Sequence, residues 1–97
     1  MSKEENTEAF YAKLKEQLQD TTHWPSEYLY KFIVKSNAKK VASIESIFNH
    51  LGAVIKTKKS SNAKYTSISI NVRMKSPDAV IAKYIEVGKN VEGVISL

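Results

Sequence analysis

From Tyr65 to Met74 the chain alternates without a break. Thr66, Ile68, Ile70, Val72 and Met74 hold one parity, and Tyr65, Ser67, Ser69, Asn71 and Arg73 hold the other. Successive side chains of a strand point to opposite faces, so this run is a strand with one face in a core and one face outside it. The rest of the chain has to build a sheet that is covered on one side.

The flanking segments supply it. Glu27 to Lys35, EYLYKFIVK, is rich in aromatic and β-branched residues and reads as a strand. Ser36-Asn37 offers a helix cap, and Val41, Ile44, Phe48 and Leu51 then follow helical spacing up to Gly52, a C-terminal glycine. Ala53 to Lys59 is a second strand. Ser76-Pro77 starts another helix, with a capping serine and proline at the first helical position, and Val80, Ile81, Tyr84 and Val87 form its buried face. Gly88 to Asn90 are expected to end it, and VEGVISL is expected to be the last strand. Ahead of all this, Phe10, Leu14 and Leu18 make a narrow apolar stripe on a leading helix over residues 6–19, with Asn6 or Thr7 as its cap. Pro25 disfavours helix at Trp24, so the helix ends before it.

The expected fold is α+β: a ferredoxin-like βαββαβ unit over residues 24–97, with a four-stranded antiparallel sheet and two helices on one face, preceded by a helix and linker over 1–23. Ninety-seven residues suffice for one modest core.

Parity assigns the open face. Tyr65, Ser67, Ser69, Asn71 and Arg73 point outward on the third strand, Leu29, Lys31 and Ile33 on the first, Val54, Lys56 and Lys58 on the second, and Glu92, Val94 and Ser96 on the last. Apolar residues at the centre of a solvated face mark a contact with another chain or with the leading helix. A homodimer or a protein partner is expected there.

Charge adds to this. Residues 52–76 carry Lys56, Lys58, Lys59, Lys64, Arg73 and Lys75 and no acidic residue. Such a segment attracts phosphates, nucleic acid or an acidic partner, or serves as a solvated surface. Fourteen of the fifteen basic residues are lysine, whereas base reading and bidentate phosphate grip usually recruit arginine.

Several chemistries lack their residues. With no cysteine there is no disulfide, thiolate nucleophile or cysteine-held metal. His23 and His50 stand apart, and no HxH, HxxxH or ExxH pairing suggests a metal. No cofactor and no catalytic activity are expected. An RNA-recognition sheet stacks bases on aromatics of its third strand, but KYTSISIN offers only Tyr65. An acylphosphatase would need arginine and glycine after the first strand, where this chain has KSNAKK. A regulatory site of the ACT type would lie at Ser36-Asn37-Ala38, where helix-start amides would meet a carboxylate. No apolar run approaches a membrane span, and MSKEENTEAFY has no apolar signal core, so the cytoplasm is the expected location.

WPSEYLYKFIVK, SSNAKYTSISI and VEGVISL together resemble the YbeD-like domains of unknown function, small bacterial proteins with a ferredoxin-like, ACT-resembling fold. The resemblance covers about residues 24–97, and its most specific part is the S-S-x-x-K-Y-x-S run. It implies no assigned chemistry. It marks Lys31, Ser60, Ser61, Lys64, Tyr65 and Ser67 as candidate binding residues, to which the basic hairpin adds Lys58. The family usually has glycine where this chain has Ala63. Alanine resists a positive φ, so Asn62 is expected to take the left-handed position of the turn. Ser60, Ser61 and Asn62 are also turn formers in their own right.

The function expected is a small binding or regulatory module acting through the open sheet face and the basic hairpin, with a protein or a small anion as ligand. The alternative is a nucleic-acid-associated protein using the same lysines.

Overall fold

A computed structural model describes residues 3–96, with side chains from residue 9 onward. It is a mixed α+β chain with three helices and one four-stranded antiparallel sheet. The helices are α1 (Lys3–Thr21), α2 (Ala38–Phe48) and α3 (Pro77–Asn90), and the strands are β1 (Ser26–Lys35), β2 (Val54–Lys59), β3 (Tyr65–Met74) and β4 (Ile95–Ser96). The strand order is β2-β3-β1-β4. Each of α2 and α3 therefore joins two strands that run the same way, with one opposed strand between them.

The long alternating runs make the centre of the sheet. β1 and β3 pair along their whole length, Ser26 opposite Met74 through Lys35 opposite Tyr65. Their even-numbered residues point into the core: Tyr30, Phe32, Ile68 and Ile70 are fully buried, and Val34, Val72 and Met74 nearly so. Ile44, Ile47 and Phe48 of α2 and Val80, Tyr84 and Val87 of α3 close that face. Each such side chain contributes about 1.5–3 kcal/mol relative to exposure. The side chain of Asn37 caps α2 through the amides of Lys39 and Lys40, and Ser76 caps α3 through the amide of Ala79. A 3-10 turn, Asn49–Leu51, follows α2 and ends at Gly52, whose φ of +71° is a left-handed helix stop.

Four details differ from the sequence expectation. The leading helix starts at Lys3 and runs through Asn6 and Thr7, so neither begins it. Its docking stripe is Tyr11, Leu14 and Leu18, while Phe10 is 58% exposed. Tyr11 wins because its ring stacks on Tyr84 of α3 at 6.1 Å. Helix α3, by contrast, ends as expected within Gly88–Asn90, its last bond running from the Val91 amide to the Val87 carbonyl.

The last two concern parity and the hairpin. Val94, expected outside, packs against the core, and Ile95 faces out opposite Ile33. Gly93, at φ +73°, breaks the two-residue rhythm between the buried Val91 and the strand. In the β2-β3 hairpin it is Ala63, at φ +59°, that takes the left-handed position, not Asn62. The Asn62 carboxamide is instead engaged by the Ser60 hydroxyl at 2.9 Å and the Lys64 amide at 3.1 Å. Its side chain thus spans the turn and places the next residue in the strained region.

Candidate functional site

The leading helix lies with α3 in the helical layer, held by Tyr11, by a 2.7 Å ion pair between Lys15 and Asp78, and by Leu14 and Leu18. The opposite face of the sheet carries no element over it among the described residues. Strand register arranges its side chains in rows. Val54, Asn71 and Leu29 form one row, Lys56, Ser69 and Lys31 the next, and Lys58, Ser67, Ile33 and Ile95 the third. Arg73 stands opposite Glu27 at one end and Tyr65 opposite Lys35 at the other.

Two features follow from this grid. Neighbouring strands are about 4.8 Å apart, so Lys31 and Lys56 flank Ser69 with their Cα atoms about 10 Å from each other. The short side chains of Ser67 and Ser69 form the floor of a shallow trough, with Lys56 and Lys58 along one wall and Lys31 and Lys35 along the other. The strands also expose apolar surface here: Leu29 and Val54 are each 60% exposed, Ile95 52% and Tyr65 41%. On this face five basic side chains, of Lys31, Lys35, Lys56, Lys58 and Arg73, stand against the single carboxylate of Glu27 on β1, β2 and β3.

The structure separates the sequence candidates into two groups. Lys31, Lys58, Tyr65 and Ser67 share the open face, and the Ser67 hydroxyl donates to the Lys58 carbonyl at 3.3 Å. Ser60, Ser61 and Lys64 belong to the turn. The Ser60 amide donates to the Tyr65 carbonyl at 2.8 Å, and its hydroxyl accepts from the Tyr65 amide at 3.1 Å. The Ala63 amide donates to the Ser60 carbonyl, and the Lys64 carbonyl accepts from the Ser36 amide at 2.9 Å. The amides of Ala63, Lys64 and Tyr65 are thus engaged inside the protein and are not offered to an anion. Ser61 and the Lys64 side chain are exposed.

A depression of about 410 Å³ lies at the β1-α2 turn, lined by Ser36, Asn37, Val41, Thr57, Lys59 and Thr66 among others. It holds the helix start where an ACT-type carboxylate would bind. The Asn37 side chain already accepts from both Lys39 and Lys40 amides there, and the Ser36 and Thr66 hydroxyls bond to each other at 2.9 Å. The donors a carboxylate would use are largely spent.

His23 and His50 are both exposed, one in the α1-β1 linker and the other in the turn after α2. No cluster of three or more His, Cys, Asp or Glu that could hold a metal occurs among the described residues. No helix is long and apolar enough to cross a membrane among them. Lys35 and Lys56 join the trough although the sequence motif did not single them out; parity had already placed Lys56 outside. Ile95 was hidden by Gly93.

A family model described as a protein of unknown function (DUF493) matches residues 19–95. The chain belongs to that family. The resemblance to YbeD-like domains is consistent with this membership, and the DUF493 match reaches back into the last turn of α1. No curated protein and no solved structure matches the chain.

Proposed function

We propose that this DUF493 member is a non-catalytic cytoplasmic binding module whose uncovered sheet face docks an acidic, amphipathic segment of another protein. The observation that carries this is the grid itself: Lys31, Lys35, Lys56 and Lys58 border a serine-floored trough, with Leu29, Val54 and Ile95 exposed and Ile33 half-buried beside it. Carboxylates would meet the lysines while apolar side chains cover the aliphatic patch. The strand order, with each helix crossing one intervening strand, supports reading the fold as ferredoxin-like and ACT-resembling. A regulatory role follows from that analogy, and function rests on the face rather than on the fold.

Nucleic acid suits the face less well. Single strands bind by stacking bases on several aromatic rings, and only Tyr65 is offered. Lysines without a partnering arginine array give charge attraction but little base reading.

Titration of the full chain with a peptide of alternating Glu and Val, followed by NMR amide shifts, tests this. The expected outcome is saturable shifts centred on Lys31, Lys56, Ser67 and Ser69, lost when Lys31 and Lys58 are changed together to Glu. Tighter binding of an unstructured oligonucleotide of equal charge at low salt overturns it in favour of nucleic acid. Absence of shifts with either probe overturns both.

A further inference from the structure

The sheet has a gap that the fold leaves beside its longest strand pairing. β1 is bonded to β3 over Ser26–Lys35, but on its other side β4 pairs only with Phe32 and Ile33. The other edge of β1 over residues 26–31 is therefore unpaired among the described residues. Exposed backbone edges of this kind are normally blunted by proline, lysine or a covering loop because they invite another strand. Here the nearest proline, Pro25, lies before the strand, the single lysine of the stretch is Lys31 at its far end, and none of the loop backbone hydrogen bonds among the described residues reaches this stretch.

We propose that this edge pairs with the same edge of a second copy of the chain, as a two-fold antiparallel contact centred on Leu29. In an antiparallel pair, directly opposite residues lie on the same face, so the register has to match odd with odd. Centring on Tyr28 would place the donor-less Pro25 opposite Lys31 of the second copy. Centring on Tyr30 would run Glu27 into Ile33, which β4 already occupies. Centring on Leu29 gives a ladder limited to Glu27–Lys31, because Ser26 then faces Phe32, which β4 holds. Within it Glu27 lies opposite the second copy's Lys31, Lys31 opposite its Glu27, and Leu29 against its own counterpart at the axis. The charges are complementary twice over, and Leu29, 60% exposed in the single chain, is covered. An isologous contact requires this self-complementarity, with one patch serving both sides. The two sheets become one, the helical layers fall on the same side, and the two lysine troughs face the same way. The contact involves few residues, so the dimer is weak and concentration-dependent.

Sedimentation velocity of the full chain over a concentration series tests the pairing. The wild-type chain should self-associate. E27K or K31E alone sets like charges opposite each other at both ends and should weaken association about tenfold or more. The double variant E27K/K31E restores opposite pairs and should recover most of it. Crosslinking gives an independent reading, since the chain has no cysteine. L29C should oxidise to a disulfide-linked dimer, because Cα atoms of facing residues in an antiparallel pair are about 4.5–5.5 Å apart, within the span of a disulfide. V54C, equally exposed on the same face, should not. A chain that stays monomeric at the highest concentration, a double variant no better than the single ones, or equal crosslinking of L29C and V54C each overturns the proposal. The acidic-peptide titration reads the trough in either case, so failure of the pairing and failure of the docking reading are separately visible.

Discussion

The hydroxyls of Tyr28 on β1 and Tyr84 on α3 lie 2.8 Å apart, tying a strand to the helix that covers it. Tyr30 completes the arrangement: its ring is within 4.8 Å of both, and its hydroxyl donates to the Val80 carbonyl at 2.9 Å. The rings fill the core, and the hydroxyls have partners, so their burial is tolerated. Burial pushes the ionisation of Tyr30 and Tyr84 far above the ordinary tyrosine value, with the neighbouring Tyr28 adding to both.

Alkaline instability follows. A phenol that stays protonated when folded and loses its proton when unfolded binds more protons in the native state above pH about 10. Its contribution is complete below the unfolded value and is lost as pH rises through it and on towards the folded one. Two such groups give a slope of about 2–3 kcal/mol per pH unit above that point. Urea denaturation between pH 8 and pH 11 should show it. Tyr84→Phe should cost about 1 kcal/mol at neutral pH and remove close to half the alkaline slope.

The docking of α1 separates two adjacent aromatics. Tyr11 stacks on Tyr84 and is half-buried, with its own ionisation raised by desolvation, while Phe10 is mostly exposed. Tyr11→Ala should cost about 1–3 kcal/mol, and Phe10→Ala about 0.5 kcal/mol or less. Chemical denaturation of the two variants checks this ordering. A larger loss at Phe10 would mean that the helix presents its other face to α3.

Much of the fold was legible because it rests on local chemistry. The period-two run from Thr66 to Met74, the Ser76-Pro77 start of α3 and the left-handed Gly52 each leave one economical local structure, and each is present. What escaped depended on partners distant in sequence. Whether Phe10 or Tyr11 docks is decided by Tyr84, and both fit a helical stripe. The rows of the open face were half visible: parity placed Lys31 and Lys56 outside, but that they flank the same serine is a matter of register between strands. The S-S-x-x-K-Y-x-S run looked like a site, yet its Ser60 is spent closing the turn onto Tyr65.

The parity of the last strand gives a direct test of the Gly93 phase change. Val94 packs against the core and Ile95 is 52% exposed, although isoleucine is the larger and more apolar side chain. Val94→Ala should therefore destabilise by about 1 kcal/mol, more than Ile95→Ala, which removes only partial cover from Ile33. Equal or reversed losses in thermal melts would show that the strand keeps the uninterrupted alternation.

Ala63 is the one non-glycine residue with a positive φ among the described residues. At φ +59° its Cβ crowds the following carbonyl, a strain of about 1–2 kcal/mol that glycine does not have. Glycine would in turn lose more backbone freedom on folding, by about 0.5–1 kcal/mol. The difference favours Ala63→Gly by about 0.5–1 kcal/mol, with the hairpin geometry unchanged. A branched side chain at the same place is worse off, so Ala63→Val should destabilise the fold. The Asn62 carboxamide positions the turn by accepting from Lys64, and Asn62→Ala should remove that restraint at a cost of about 1 kcal/mol. Melting temperatures of the three variants provide the measurement. Because the Ala63, Lys64 and Tyr65 amides are already engaged, phosphate should raise the melting temperature of Ala63→Gly no more than that of the wild-type chain. A phosphate-dependent gain confined to the glycine variant would show that the turn opens into an anion cradle once the Cβ is gone.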